Sequence, residues 1–138
     1  MAYDDQFNRT QHYSFGPHTF SGGATFAVPM PAGKNGYLMD YGIEGVTTTT
    51  TTTAAISIGT VADPDAYGDD LAVAVAATGA PGMKSVRSSC NLNTASGKAA
   101  FDLLMVDRRI PAGTQAVLTV VAGGAGVGSA FVDIAWDP

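Results

Sequence analysis

Ala55-Ile56-Ser57-Ile58-Gly59-Thr60-Val61 places Ile56 and Ile58 on one side of an extended chain and Ala55, Ser57 and Gly59 on the other. A period of two with β-branched residues on one face reads as a strand with one side buried. The same texture extends in both directions. Before this stretch, Tyr37 to Val46 carries strand chemistry and runs into seven consecutive threonines, Thr47 to Thr53. Threonine is stiff at χ1 and fits a pleated surface, but an uncharged, repetitive run also suits a loop. The run is read as a strand that enters or leaves a loop within it. After the stretch comes the loop Asp63 to Asp70, followed by Leu71-Ala72-Val73-Ala74-Val75-Ala76-Ala77. As a strand, this last segment puts Leu71, Val73 and Val75 on one face. As a helix it is short and has no polar side, so the strand is favoured.

Toward the N-terminus, His12 to Phe15, Thr19-Phe20 and Thr25 to Val28 are short alternating runs broken by Gly16, Pro17, Gly22 and Gly23. Toward the C-terminus, Val86 to Leu92 reads as a polar strand, and Phe101 to Asp107 has mixed periodicity that ends at the turn Ile110 to Thr114. Ala116 to Val121 and Ala130 to Trp136 read as strands joined through Gly123 to Gly128 by a hairpin-type connection. About eight short strands, frequent Gly and Pro turns and no convincing helix predict an all-β protein, an antiparallel β-sandwich or a barrel. Residues 1–12 lack a hydrophobic period and read as an extended N-terminal arm. Residues 13–138 form one domain, a length that suffices to bury a core without disulfides or metal.

The chain is 46% hydrophobic and only 14% charged, with a net charge of −5. That balance argues against nucleic acid and against an anionic membrane surface, both of which select clustered cations. The single cysteine, Cys90, has no partner for an internal disulfide. The first ten residues are polar and resemble no secretory leader, so folding in a reducing cytoplasm is expected.

Few residues carry the patterns that chemistry requires. His12 and His18 are the only histidines. Their spacing matches no standard zinc motif, and Cys90 is distant. No GxSxG elbow is present, and Ser57, Ser85, Ser88, Ser89 and Ser129 lack a local base. Asp63, Asp65, Asp69 and Asp70 cluster without a cation, but against a calcium loop starting at Asp63 the position of the bidentate glutamate is Ala74. A solvated turn is the favoured reading. Gly123 to Gly128 lacks the lysine of a phosphate-binding loop and precedes a strand. No catalytic residue, cofactor or metal is therefore assigned, and the chain is read as a non-enzyme.

What remains is a surface. The acidic run Asp63 to Asp70 contrasts with Lys84, Arg87, Lys98, Arg108 and Arg109, a polarity that suits contacts between neighbouring proteins. Aromatic residues crowd the start of the chain, and Tyr3 and Phe7 fall in the arm, where they are natural anchors for a partner. Tyr3, Phe7, Arg9, Arg108 and Arg109 are the candidate partner-binding residues. Tyr37, Tyr41 and Tyr67 are the alternative, as platforms for a carbohydrate.

Ile56 to Tyr67, the turn Ile110-Pro111-Ala112-Gly113-Thr114 and the closing Ala130 to Asp137 resemble small β-rich structural proteins of tailed bacteriophages. The closest resemblance is to head decoration, or cement, proteins of the jelly-roll type, over about two-thirds of the chain. The resemblance implies a jelly-roll-like sandwich that binds the outside of a phage capsid and clamps neighbouring subunits of the major capsid protein. It further implies a dimer or trimer located on the virion surface and made in the host cytoplasm. A carbohydrate- or receptor-binding sandwich of a phage tail or fibre is the alternative.

Overall fold

The alternating stretches assemble into two antiparallel sheets packed face to face. The computed structural model describes residues 10–50, 54–75 and 82–138. Its elements are β1 (Thr10–Thr19), β2 (Ala24–Ala27), β3 (Gly36–Thr48), β4 (Ala55–Gly59), β5 (Gly68–Ala72), β6 (Lys84–Ser85), α1 (Val86–Ser89), α2 (Ala95–Leu104), β7 (Arg109–Ile110), β8 (Val117–Val121) and β9 (Val127–Trp136). One sheet runs β1-β9-β3-β6, with β7 also paired to β3, and the other runs β2-β8-β4-β5.

With the short β7 set aside, the pairings nest. β1 pairs with β9, β2 with β8, β3 with β6 and β4 with β5, all antiparallel. The chain is thus one long hairpin, with its tip at the β4–β5 loop, wound into two sheets. This is the path of a jelly roll. The all-β sandwich read from the alternation is the observed fold, with nine strands where about eight were expected.

Core selection follows the period of two. On β9, Ala130, Val132, Ile134 and Trp136 face inward and are buried. Across from them, Ile56 and Ile58 of β4 and Leu118 and Val120 of β8 close the core. Each such side chain contributes roughly 1.5–3 kcal/mol by leaving water. On β3 the alternation slips once. Leu38 pairs with Ile134 and Asp40 with Asp133, so Met39 is the extra residue of a bulge. The slip lets Leu38, Tyr41 and Ile43 all face the core.

Leu71, Val73 and Val75 are buried as a strand reading requires, although β5 itself stops at Ala72. The threonine run divides: β3 ends at Thr48, Thr50 is buried, and residues 51–53 lie outside the described part.

Three local expectations need correction. Val86 to Leu92 is not a strand. It begins with the helical turn α1, capped by Ser85, whose side chain accepts from the Ser88 amide while the Ser88 hydroxyl takes the Ser85 amide. Phe101 to Leu104 closes the helix α2, whose N-cap Thr94 accepts from the Gly97 amide. Gly123 to Gly128 is not a hairpin, because β8 and β9 lie in different sheets and the segment crosses between them. The arm boundary also moves: Thr10, Gln11 and His12 are already paired with Ala135, Ile134 and Asp133 in β1.

Candidate functional site

β3 projects Tyr37 outward, next to the inward Leu38, and the ring is 44% exposed. Beside it, Arg108 leads into β7. The Leu38 amide donates to the Arg108 carbonyl at 2.7 Å, and Arg108 Nε donates back to the Leu38 carbonyl at 2.9 Å. That reciprocal pair fixes the guanidinium, whose carbon lies 4.4 Å from the Tyr37 ring centroid and 5.5 Å from that of Phe101 on α2. Arg87 of α1 lies against the same phenyl ring, 5.3 Å from its centroid, and donates through Nε to the carbonyl of the bulged Met39 at 2.6 Å. The bulge, α1, α2 and β7 together build one aromatic and guanidinium face.

Among the described residues neither Arg87 nor Arg108 forms an ion pair with a carboxylate; the ion pairs there both belong to His12. Two cations share one ring, held by its quadrupole and by backbone carbonyls. Each guanidinium keeps donors arranged to fit a planar oxyanion. Arg109 points elsewhere. Its amide donates to Asp107 Oδ1, and its exposed side chain lines a shallow cleft of about 300 Å³ with Asn35, Asp107, Ile110 and Pro111.

A second cluster lies on the outer side of the β1-β9-β3 sheet. His12 Nδ1 is 2.5 Å from Asp133 Oδ1, and Nε2 is 2.7 Å from Glu44 Oε1. The imidazole tilts over Phe131, centroid to centroid 5.1 Å. Burial acts to lower the His12 pKa, but hydrogen bonds to Glu44 and Asp133, with their charges, outweigh it and raise the value above the ordinary one. The Asp133 carboxyl is also raised. Its burial is the main cause, with the charges of Asp40 and Glu44 adding to it and His12 pulling against it.

The other sequence candidates disperse. His18 bonds the Gly22 carbonyl and meets Phe20 and Phe26 edge-on. In the acidic loop the Asp63 carbonyl accepts from Thr60 and Ala66, and Asp69 Oδ1 accepts from the Asp70 amide. Among the described residues no three His, Cys, Asp or Glu side chains are grouped to hold a metal ion. Burial first, then Asp69 and Asp65, pushes the Asp70 carboxyl up. Tyr41 and Tyr67 are core residues and offer no platform, which leaves Tyr37. Cys90 is buried, its thiol pushed up by that burial and by Asp40. Tyr3, Phe7 and Arg9 lie outside the described residues. No described helix is long and apolar enough to cross a membrane.

Sequence reasoning found Arg108 but missed Tyr37 and Phe101 as its stacking partners, and it missed the His12 cluster. The one available signal was the acidic residues Asp40, Glu44 and Asp133 on alternating stretches that carry no cation.

No protein-family model, curated protein or solved structure matches the chain.

Proposed function

We propose that the chain is a non-catalytic binding protein that attaches to other protein surfaces, and that it serves as a head decoration protein outside a tailed-phage capsid. The observation that carries the reading is the face built by Tyr37, Arg108, Phe101 and Arg87. It presents two guanidinium groups without carboxylate partners among the described residues. Arginine and tyrosine are the residue types that dominate protein interfaces, and fixed guanidinium groups select acidic partners. The partner that fits is a capsid subunit offering carboxylates to this face. The jelly-roll path and the likeness of Ile56 to Tyr67 and Ala130 to Asp137 to decoration proteins favour the capsid among possible partners. A standard contact of roughly 1,600 Å² repeated across a lattice gains avidity without new chemistry. Attachment as a dimer or trimer matches shell symmetry.

Tyr37 favours a second reading, because a half-exposed ring beside hydrogen-bond donors also suits a sugar. Co-sedimentation with purified capsids separates the two. Retention on shells, weakened by Arg108→Gln, supports the first reading. Binding on a glycan array without shell binding supports the second.

A further inference from the structure

The two ring nitrogens of His12 face carboxylate oxygens on two different strands, Asp133 of β9 and Glu44 of β3. An ionised carboxylate only accepts, and a neutral imidazole has one donor. Both contacts are satisfied only when the cluster holds one proton more than a neutral imidazole with two carboxylates. The oxygens stand at opposite ends of the ring, so they do not converge as a metal site would.

We propose that His12, Asp133 and Glu44 form a pH-sensitive clasp that fastens the edge strand β1 to its sheet when protonated and loosens it when that proton is lost. Among the described residues β1 pairs in the sheet with β9, at the end of the strand order, and it continues directly from the N-terminal segment. The charged groups acting on the clasp are Asp133 on β9 and Glu44 and Asp40 on β3, all acidic, with His12 as the counter-charge. Once His12 is neutral, one ring nitrogen presents a lone pair to a carboxylate and the local charge is uncompensated. The His12 ring also covers Phe131, which faces outward yet is only 2% exposed and stands apart from the main core cluster. Loosening β1 at this end uncovers an aromatic side chain and frees the root of the N-terminal segment.

Fastening is strongest below the ordinary histidine pKa and is lost as pH rises through the elevated value in the fold. The ring is 47% exposed, so the effect is that of a solvent-screened pair, roughly two- to fivefold in the opening equilibrium. The test is amide hydrogen exchange of residues 10–14 relative to β8, followed from about pH 5 to about pH 9 alongside the NMR titration of His12. In the wild-type chain the relative protection of β1 falls two- to fivefold as His12 titrates, and His12 titrates above its ordinary value. His12→Gln flattens that dependence, and Glu44→Gln lowers the His12 titration point. Constant relative protection in the wild type, an unchanged dependence in His12→Gln or an unmoved titration in Glu44→Gln overturns the clasp. If a variant does not fold, the wild-type exchange and titration decide alone. No capsid enters the experiment, so its outcome is separate from that of the attachment reading.

Discussion

The guanidinium carbon of Arg108 lies 4.4 Å from the centroid of the Tyr37 ring, with the arginine backbone and Nε tied to Leu38 one residue away. The arginine is therefore held in place before any partner arrives, which reduces the ordering cost of recognition. Arg108→Gln removes the planar cation and its stacking. The expected result is a folded protein destabilised by about 1 kcal/mol that is retained on its partner roughly fivefold less well. Arg108→Lys keeps the charge but not the planar fork and fails to restore retention. Urea titration and quantitative pull-down report the two effects separately.

Tyr41 ties three elements together. Its hydroxyl, on β3, lies 2.6 Å from the Asp69 carbonyl of β5 and 2.9 Å from the Leu104 carbonyl of α2. Tyr41→Phe leaves the ring packed but removes the donor shared by two part-buried carbonyls. The expected loss is about 1–3 kcal/mol by urea unfolding, with faster hydrogen exchange at the end of α2.

At Gly42 a Cβ would lie 2.1 Å from the Lys84 carbonyl, a backbone atom of the paired strand β6. Neither chain can yield without breaking the β3–β6 pairing. Gly42→Ala is expected to cost about 3 kcal/mol or more, seen as a large drop in melting temperature or as loss of soluble protein.

Every resolved pKa shift among the described residues is upward: His12, Tyr41, Tyr67, Asp70, Cys90 and Asp133. Burial is the leading cause for all except His12, where carboxylate partners overcome it. The fold thus holds these protons more tightly than the unfolded chain does, and stability falls as pH rises through the folded-state values. The urea midpoint is expected to decline from about pH 6 to about pH 10, first as His12 loses its proton and then as the cysteine and tyrosines of the unfolded chain ionise while the fold keeps Cys90, Tyr41 and Tyr67 protonated. A midpoint that rises over that range contradicts the assignment.

Much of the fold was legible because burial alternates with the sequence. Leu71, Val73 and Val75 and the inward series on β9 follow the period of two, whereas on β4 Ser57 and Gly59 are buried along with Ile56 and Ile58. The helices were not legible, and the reason is local. α1 is capped by a Ser85–Ser88 exchange instead of the usual acidic partner, and Phe101 is the buried residue of α2, so no apolar stripe announces it. The β8–β9 connection was misread because glycine-rich turns look alike whether strands pair or change sheets. The His12 cluster escaped because His12 and Asp133 stand 121 residues apart and meet only through the register of β1 with β9. Arg108 was visible as part of a basic stretch, but its stacking on Tyr37 depends on the Leu38 pairing, which no local pattern encodes.

Co-sedimentation with intact phage capsids, using the full chain and a form lacking residues 1–9, tests the attachment account most directly. Removing residues 1–9 spares β1, whose first pair is Thr10 with Ala135, and keeps His12 in place. The account predicts that the full chain pellets with the shell at a fixed stoichiometry. It also predicts that the truncated form stays folded but binds more weakly, and that Arg108→Gln weakens binding further. A full-length chain that remains in the supernatant as a monomer, with every capsid offered, contradicts it.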